Sequence, residues 1–358
     1  MNKTMKAAMV YGQNDLRLET VPVPETPAGS ILIKVQACAI CGTDLRIYKK
    51  GDYRAQYPVI TGHEIAGTVV DVAPGVTSVK AGDRVVVAPG HGCGHCAMCK
   101  SGQPNVCTDP HASLGYKLNG GFAEYMAVPE HIFRLGFVNK IPDELTYAQA
   151  SMSEIIACCI NAHRNAKVNP GDTALIFGGG PAGIIHAHLA RLEGAKKIII
   201  TQRSKGRLER IAARFPGLAD HLVCSSEIED LEAEILKLTG GLGADAVFVC
   251  APSASAQEQA LRLVGNRGRV NFFGGLPKDD CMVRLDANQL HYKEFFISGA
   301  SSSLPETNRE ALELLRTRKI DPDKLITHVL PLDRVDEGYQ LMLDKESIKV
   351  VIKIGDEA

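Results

Sequence analysis

The sequence predicts a two-domain α/β chain: an all-β unit over residues 1 to about 150, followed by a doubly wound parallel sheet. Three observations carry this expectation. The chain has 358 residues, which at roughly 150 residues per domain corresponds to about two domains. The first part is rich in short β-branched runs separated by Gly, Pro and Asp, such as SILIKVQA, AGTVVDV and DRVVVAP, the pattern of an all-β unit with many turns. From about residue 150 strand-like runs alternate with helical stretches, which implies parallel strands covered by helices on both faces.

The alternating series opens with TALIFG, a Gly-rich turn and the helical AGIIHAHLARLEG. KKIIIT is the next strand and KGRLERIAARF the next helix. HLVCS, DAVFVC and GRVNFFG continue it with helical segments between them. The last part holds the strand EFFISGA, the helix ETNREALELLRTR and a closing strand IKVVIKI. No internal repeat or low-complexity segment interrupts this order.

Hydrophobic residues make up 45% and charged residues 23% of the chain, an ordinary globular balance. A net charge of −1 gives no global field for nucleic acid or an anionic membrane. No apolar run approaches the roughly 18 residues of a spanning helix. The start, MNKTMKAAMVYG, lacks the apolar stretch of a signal peptide. The expectation is a cytoplasmic protein with neither nucleic acid nor membrane as a partner.

Eleven cysteines are many for a reducing compartment, and their spacing separates them into classes. Cys93, Cys96, Cys99 and Cys107 form a tight C-x2-C-x2-C-x7-C run. Four thiolates so spaced can surround one tetrahedral Zn²⁺ with no position left open, so this is expected to be a structural zinc site. His91, His95 and His111 are expected to be exposed bystanders, since the sulfurs fill the shell. Cys38, Cys158, Cys159, Cys224, Cys250 and Cys281 are expected to be buried core residues.

A second donor set is more dispersed. Cys41 begins Cys-Gly-Thr-Asp, Gly62-His63-Glu64 follows, and Glu154 lies in the apolar segment ASMSEIIACCI. A carboxylate there is costly to bury unless paired or metal-bound. Cys41, His63 and one or two carboxylates would make an open zinc site with room for a substrate oxygen. Asp44 could accept a hydrogen bond from the second nitrogen of His63 and so fix its tautomer. The competing reading is a core cysteine and a turn histidine.

Gly178, Gly180, Pro181 and Gly183 belong to Phe-Gly-Gly-Gly-Pro-Ala-Gly, a G-x-G-x-x-G turn after a strand and before a helix. That context marks a dinucleotide pyrophosphate site on a helix N-terminus. The Asp or Glu that normally binds the adenine ribose about 20 residues further on is missing. Gln202, Arg203, Ser204 and Lys205 stand there, with Arg207 beyond. An arginine fork suits a 2′-phosphate, so NADP(H) is favoured over NAD(H). The alternative is a set of solvated cations at a helix start.

Together CGTD at 41–44, GHEIAG at 62–67, the cysteines at 93–107, GGFAEY at 120–125, Glu154 and GGGPAG at 178–183 resemble the zinc-containing medium-chain dehydrogenases, in their polyol and threonine dehydrogenase branch. The resemblance covers essentially the whole chain. It implies an α/β fold with a GroES-like β-rich catalytic domain, residues 1–152 and 290–358, split around an inserted Rossmann domain, residues 153–289, with the active site in the cleft. It implies two Zn²⁺ per chain. The catalytic one is held by Cys41, His63 and a glutamate, with Glu64 and Glu154 both matching acidic positions that members use directly or through water. The structural one is held by the four cysteines. Thr43 matches the hydroxyl that relays the substrate proton.

The implied reaction is hydride transfer between NADP(H) or NAD(H) and a small polyol or sugar alcohol and its ketone, in a homodimer or homotetramer. An amino-alcohol dehydrogenase of the threonine type shares every one of these motifs. A zinc-free quinone-reductase-like relative is disfavoured by intact Cys41, His63 and Glu154. Two positions depart from the family. Relatives often place a relay histidine five residues after the zinc cysteine, where this chain has Arg46, which cannot act as a base but could hold an anionic group. The arginine that animal sorbitol dehydrogenases place near substrate is absent from Ala300–Ser303. Thr201–Ser204 followed by Arg207 is similar to the cofactor segment of NADP-dependent ketose reductases.

Overall fold

The computed structural model describes residues 3–356. The chain divides into two compact units: one runs up to Ala157 and resumes at Ser303, and the other is Cys158–Ser302. The first unit begins with β1 (Thr4–Gly12), β2 (Asp15–Pro22), β3 (Ile31–Ala39), β4 (Val59–Ile60), β5 (Glu64–Val72), β6 (Arg84–Val87), β7 (Tyr125–Val128) and β8 (Val138–Lys140). The second holds β9 (Thr173–Phe177), β10 (Lys197–Gln202), β11 (His221–Cys224), β12 (Ala244–Val249), β13 (Val264–Phe272) and β14 (Phe296–Gly299). The first is completed by β15 (Ile326–Pro331) and β16 (Lys349–Lys353). Among the described residues no helix is long and apolar enough to cross a membrane.

In the first unit β2-β1-β4 form a small sheet, and β15-β16-β3-β5-β6-β8 form a larger one, with β7 also paired to β3. Strand β3 is buried at nearly every position, because its β-branched and small residues pack on both faces. Ile31, Ile33 and Val35 share a core with Ile65, Val85, Val87, Phe122, Val128 and Ile352. The register of this sheet matters for function. Ala39 pairs with Glu64 on one side and with Val351 on the other. The end of β3, the start of β5 and the start of β16 therefore meet at one place.

The second unit is a parallel sheet in the order β11-β10-β9-β12-β13-β14. Consecutive residues of β9, β10 and β12 are buried, as strands covered on both faces must be. Leu175, Phe177, Ile199, Val247 and Val249 pack with Ile235 and Leu261 from two of the helices. The strand order reverses between β9 and β12, and the crevice at the carboxyl ends of such strands is where doubly wound sheets bind nucleotides. The sheet runs past residue 289, where the family resemblance puts its end. Arg269 pairs with Phe296 and Phe272 with Gly299, so EFFISGA is the sixth strand of this sheet and not part of the other unit.

Candidate metal centres and nucleotide turn

The four cysteines at 93–107 come together. Their sulfurs all lie within 4.8 Å of one another, with Cys93 to Cys99 at 3.9 Å and Cys96 to Cys107 at 3.7 Å. Sulfurs about 2.3 Å from a tetrahedral zinc stand about 3.8 Å apart, so the spacing fits that ion. Backbone N–H groups of the same loop donate to the sulfurs: Cys93 to Cys107, Cys96 to Cys93, and Cys99 to Cys96, at 3.3–3.4 Å. The N–H of Cys99 does most to hold the Cys96 thiol down, at about 5, while burial pushes Cys107 up, to about 12. Four such groups cannot all ionise side by side without a cation among them.

His95 and His111 are exposed. His91 is not, contrary to expectation: it is half-buried, and its Nε2 lies 3.1 Å from the Asn105 carbonyl oxygen. It braces the lobe from within. The remaining cysteines also differ from a uniformly buried set. Cys38 and Cys159 are buried, Cys158, Cys224 and Cys250 are half-buried, and Cys281 is exposed. Its neighbours Lys278, Asp279 and Asp280 are polar, and the segment forms no strand or helix that could bury it.

The second donor set is Cys41, His63 and Glu64, whose ligand atoms also lie within 4.8 Å of one another. Cys41 precedes the helix Gly42–Lys50, and His63 and Glu64 enter β5, so the register described above brings them together. Asp44, fully buried, ties the two segments. Its Oδ2 accepts from the Cys41 N–H at 2.8 Å and its Oδ1 from the Gly62 N–H at 3.0 Å. His63 Nδ1 stands 3.3 Å from Oδ1, in ion-pair range but out of line for a hydrogen bond. Burial would raise the Asp44 carboxyl, but His63 and those N–H groups outweigh it and hold it low. Burial opposes protonation of His63, but the charges of Asp44 and Cys41 raise it well above its usual range. A bound cation would take that proton's place.

Sequence reasoning missed the partner of Glu64. Lys349, at the start of β16 and 1% exposed, donates to Glu64 Oε1 at 2.5 Å. Glu64 Oε2 is buried with no hydrogen-bond partner. Burial first, and then the nearby charge of Glu154, push the Glu64 carboxyl up to about 7 against the pull of Lys349. A thiol, an imidazole and a carboxylate with one buried unsatisfied oxygen fit a divalent ion of the zinc type. Glu154 is buried and close enough for its charge to act on Glu64 and Lys349, yet it lies outside the group within 4.8 Å. Thr43 is half-buried beside this group, and Arg46 Nη2 lies 3.5 Å from its Oγ1.

The nucleotide turn is shaped as the Gly-rich pattern requires. Gly178 has φ of +110°, open mainly to glycine. A methyl group on Gly183 would stand 1.8 Å from the Gly178 carbonyl oxygen, so only glycine lets the helix pack this close to the turn. Gly180 caps the helix Pro181–Leu192 and has open space where a side chain would be, which suits the approach of a pyrophosphate. Gln202 ends β10, and its Oε1 accepts from the Arg203 N–H at 2.7 Å. Ser204 caps the helix Lys205–Arg214, which carries Arg207 in its first turn. Arg203 is exposed and Arg207 half-buried.

Known proteins place these features together. Residues 27–142 match the family described as alcohol dehydrogenase GroES-like domain, and residues 181–317 match the zinc-binding dehydrogenase family. The chain is 34% identical to a sorbitol dehydrogenase of Bombyx mori, covering 97% of this chain and 98% of that one. It is 33% identical to a D-arabitol-phosphate dehydrogenase of Enterococcus avium (100% and 99% covered) and 34% identical to an L-threonine 3-dehydrogenase of Pyrococcus furiosus (98% and 97%). Among solved structures, a zinc-binding dehydrogenase of Sinorhizobium meliloti 1021 bound to NADP superposes with a TM-score of 0.88 at 29% identity, covering 98% of this chain and 100% of that one. A protein of E. coli CFT073 described as a short chain alcohol dehydrogenase (rspB), complexed with NADH, does so with 0.88 at 28% identity, covering 98% and 100%. The chain belongs to the zinc-containing medium-chain alcohol dehydrogenase family, in its polyol and threonine dehydrogenase branch. It is thus an oxidoreductase of the alcohol dehydrogenase type.

Proposed function

We propose that the protein is a zinc-dependent dehydrogenase that moves a hydride between NADP(H), in preference to NAD(H), and a small polyol or sugar alcohol and its ketone. The observation that carries this reading is the open donor set: Cys41, His63 and Glu64 within 4.8 Å of one another, with a buried Glu64 oxygen unsatisfied. Cys41, His63 and Glu64, with Glu154 nearby, would hold a zinc ion there, and that ion would supply Lewis-acid polarisation of an alcohol or carbonyl oxygen. The nicotinamide supplies the hydride chemistry itself. The four cysteines would hold the second, structural zinc.

The chain's own residues do the rest. Asp44 fixes the backbone at Cys41 and Gly62 and so sets both ligands at once. Lys349 holds one Glu64 oxygen and leaves the other, buried and without a hydrogen-bond partner, for the metal position. Thr43 carries the substrate proton on its hydroxyl; Arg46, whose Nη2 lies 3.5 Å away, cannot accept that proton. Amino-alcohols are the second substrate reading, supported by the likeness to L-threonine 3-dehydrogenases.

The NADP(H) preference is supported by the absence of an acid at Gln202 and by the position of Arg203, Ser204 and Arg207 on the turn after β10. Charge-assisted hydrogen bonds contribute roughly 1.5–3 kcal/mol each when well formed. Two of them correspond to on the order of 100-fold, less what solvent exposure of Arg203 removes. The test is kcat/KM with both cofactors over a panel of polyols and hydroxy-amino acids, in the parent and in Gln202→Asp/Arg203→Ala. The parent should favour NADP(H) and the double variant NAD(H). A parent that favours NAD(H), or a variant that shifts nothing, removes the phosphate pocket.

A further inference from the structure

Two guanidinium groups converge on one carboxylate beside the Cys41–His63–Glu64 group. The Asp52 side chain is 3% exposed. It accepts from the Arg54 N–H at 3.0 Å, from Arg54 Nε at 2.9 Å, from Arg54 Nη2 at 2.7 Å and from Arg46 Nε at 2.9 Å. Those bonds saturate Asp52, and one carboxylate against two guanidinium ions leaves one positive charge over. Each arginine also reaches toward the metal ligands. Arg46 Nη2 lies 3.5 Å from the hydroxyl of Thr43, two residues from Cys41. Arg54 stacks 5.0 Å from the centre of the Tyr116 ring, which is itself 5.7 Å from the His63 ring.

Pinning the turn at 52–54 does not account for both cations. Arg54 makes three bonds to Asp52 on its own. Arg46 adds only its Nε, and its Nη2 faces the Thr43 hydroxyl at a distance too long for a strong hydrogen bond. Its side chain is 38% exposed, so the fork is both held and accessible. A planar, permanently charged fork of this kind matches a carboxylate or phosphate oxygen pair.

We propose that Arg46, backed by the Asp52–Arg54 pair, is an anion subsite next to the substrate position. The preferred substrate is then a hydroxylated molecule that carries an oxyanion, a carboxylate or a phosphate monoester, close to the reacting carbinol. This rests on the reading of the Cys41–His63–Glu64 group as the place where the alcohol reacts.

The test uses the zinc-loaded full chain and matched substrate pairs: a pentitol against its phosphate monoester, and a tetritol against the corresponding hydroxy acid. kcat/KM is measured in the parent, Arg46→Gln and Arg46→Lys, with inorganic phosphate titrated calorimetrically into the same proteins and into Arg203→Ala. Asp52 keeps Arg54 in Arg46→Gln, and Arg46→Lys retains the charge should the first variant fold poorly. The parent should favour the anionic member of at least one pair by about 10–100-fold, and which pair responds separates phosphate from carboxylate. That ratio should collapse to near unity in Arg46→Gln and fall partway in Arg46→Lys. Phosphate binding should weaken about tenfold in Arg46→Gln and persist in Arg203→Ala. Equal use of neutral and anionic alcohols by the parent overturns the subsite while leaving the dehydrogenase reading intact. Arg46-dependent phosphate binding without turnover of any alcohol supports the subsite and sinks that reading. Loss of NADPH affinity in Arg46→Gln with phosphate binding unchanged assigns Arg46 to the cofactor and overturns the proposal.

Discussion

The four-cysteine lobe and the Cys41–His63–Glu64 group use related donors and are built in opposite ways. The lobe takes all its sulfurs from residues 93–107 and steadies them with N–H groups of the same loop. The other group draws Cys41 from beyond β3, His63 from just before β5, Glu64 from its first position, and Lys349 from β16. The lobe is complete in itself, with like ligands on every side. The second group is mixed, asymmetric and short of ligands, and it is supported by Asp44 and Lys349 rather than by its own loop. A site meant to stabilise can be local and closed, whereas one meant to react must be assembled by the fold and left open.

The contrast breaks most sharply at Cys41. Cys41→Ser should lower kcat at least about 10³-fold, since a Lewis acid supplies several kcal/mol at about 1.4 kcal/mol per tenfold. NADPH affinity, measured by fluorescence titration, should stay within a few-fold. Activity near that of the parent would take Cys41 out of the active site. Cys99→Ser should act the other way round. Opening a closed zinc site costs about 3 kcal/mol or more, and a unit of this size loses roughly 2–4 °C of melting temperature per kcal/mol. A fall of about 6–12 °C by calorimetry is therefore expected, with most of the kcat retained below the transition. A variant as stable as the parent with zinc at full occupancy would deny the lobe its structural part.

Asp44→Asn sharpens the comparison at smaller scale. Asparagine can accept only one of the two N–H groups that Asp44 holds, because its other terminal atom is a donor. Losing such support behind metal ligands typically costs 10–100-fold in affinity or activity, so zinc affinity and kcat should fall together by that order. The four cysteines are steadied instead by several N–H groups of their own loop, so no equal loss is expected from one change beside them. Unchanged zinc affinity in Asp44→Asn would show that Cys41 and His63 are placed without it.

The same difference decides what the sequence makes legible. The lobe can be read from spacing alone, because its geometry is fixed within one loop. The parallel sheet is legible too, from TALIF, KKIIIT and DAVFV alternating with helices. Cys41 and His63 suggest a site only in the company of their motifs. Lys349 gives no local signal: it sits in the apolar strand IKVVIKI, and its partner Glu64 is 285 residues away. Asp52, Arg54 and Tyr116 are likewise ordinary turn residues until the fold sets them around Thr43 and His63. The end of the nucleotide-binding sheet is hidden for another reason. Phe296 and Ile297 lie on an exposed edge strand, whose pairing with β13 is a matter of register and not of composition.

Zinc content followed against activity and melting temperature during stepwise chelation tests the division between the two sites most directly. Two equivalents per chain are expected at the start. The first should leave with activity lost in proportion and the melting temperature nearly unchanged; the second should leave only with a large fall in melting temperature. Full activity in protein holding a single equivalent, or activity that survives removal of the first, would contradict an open reactive site beside a closed structural one.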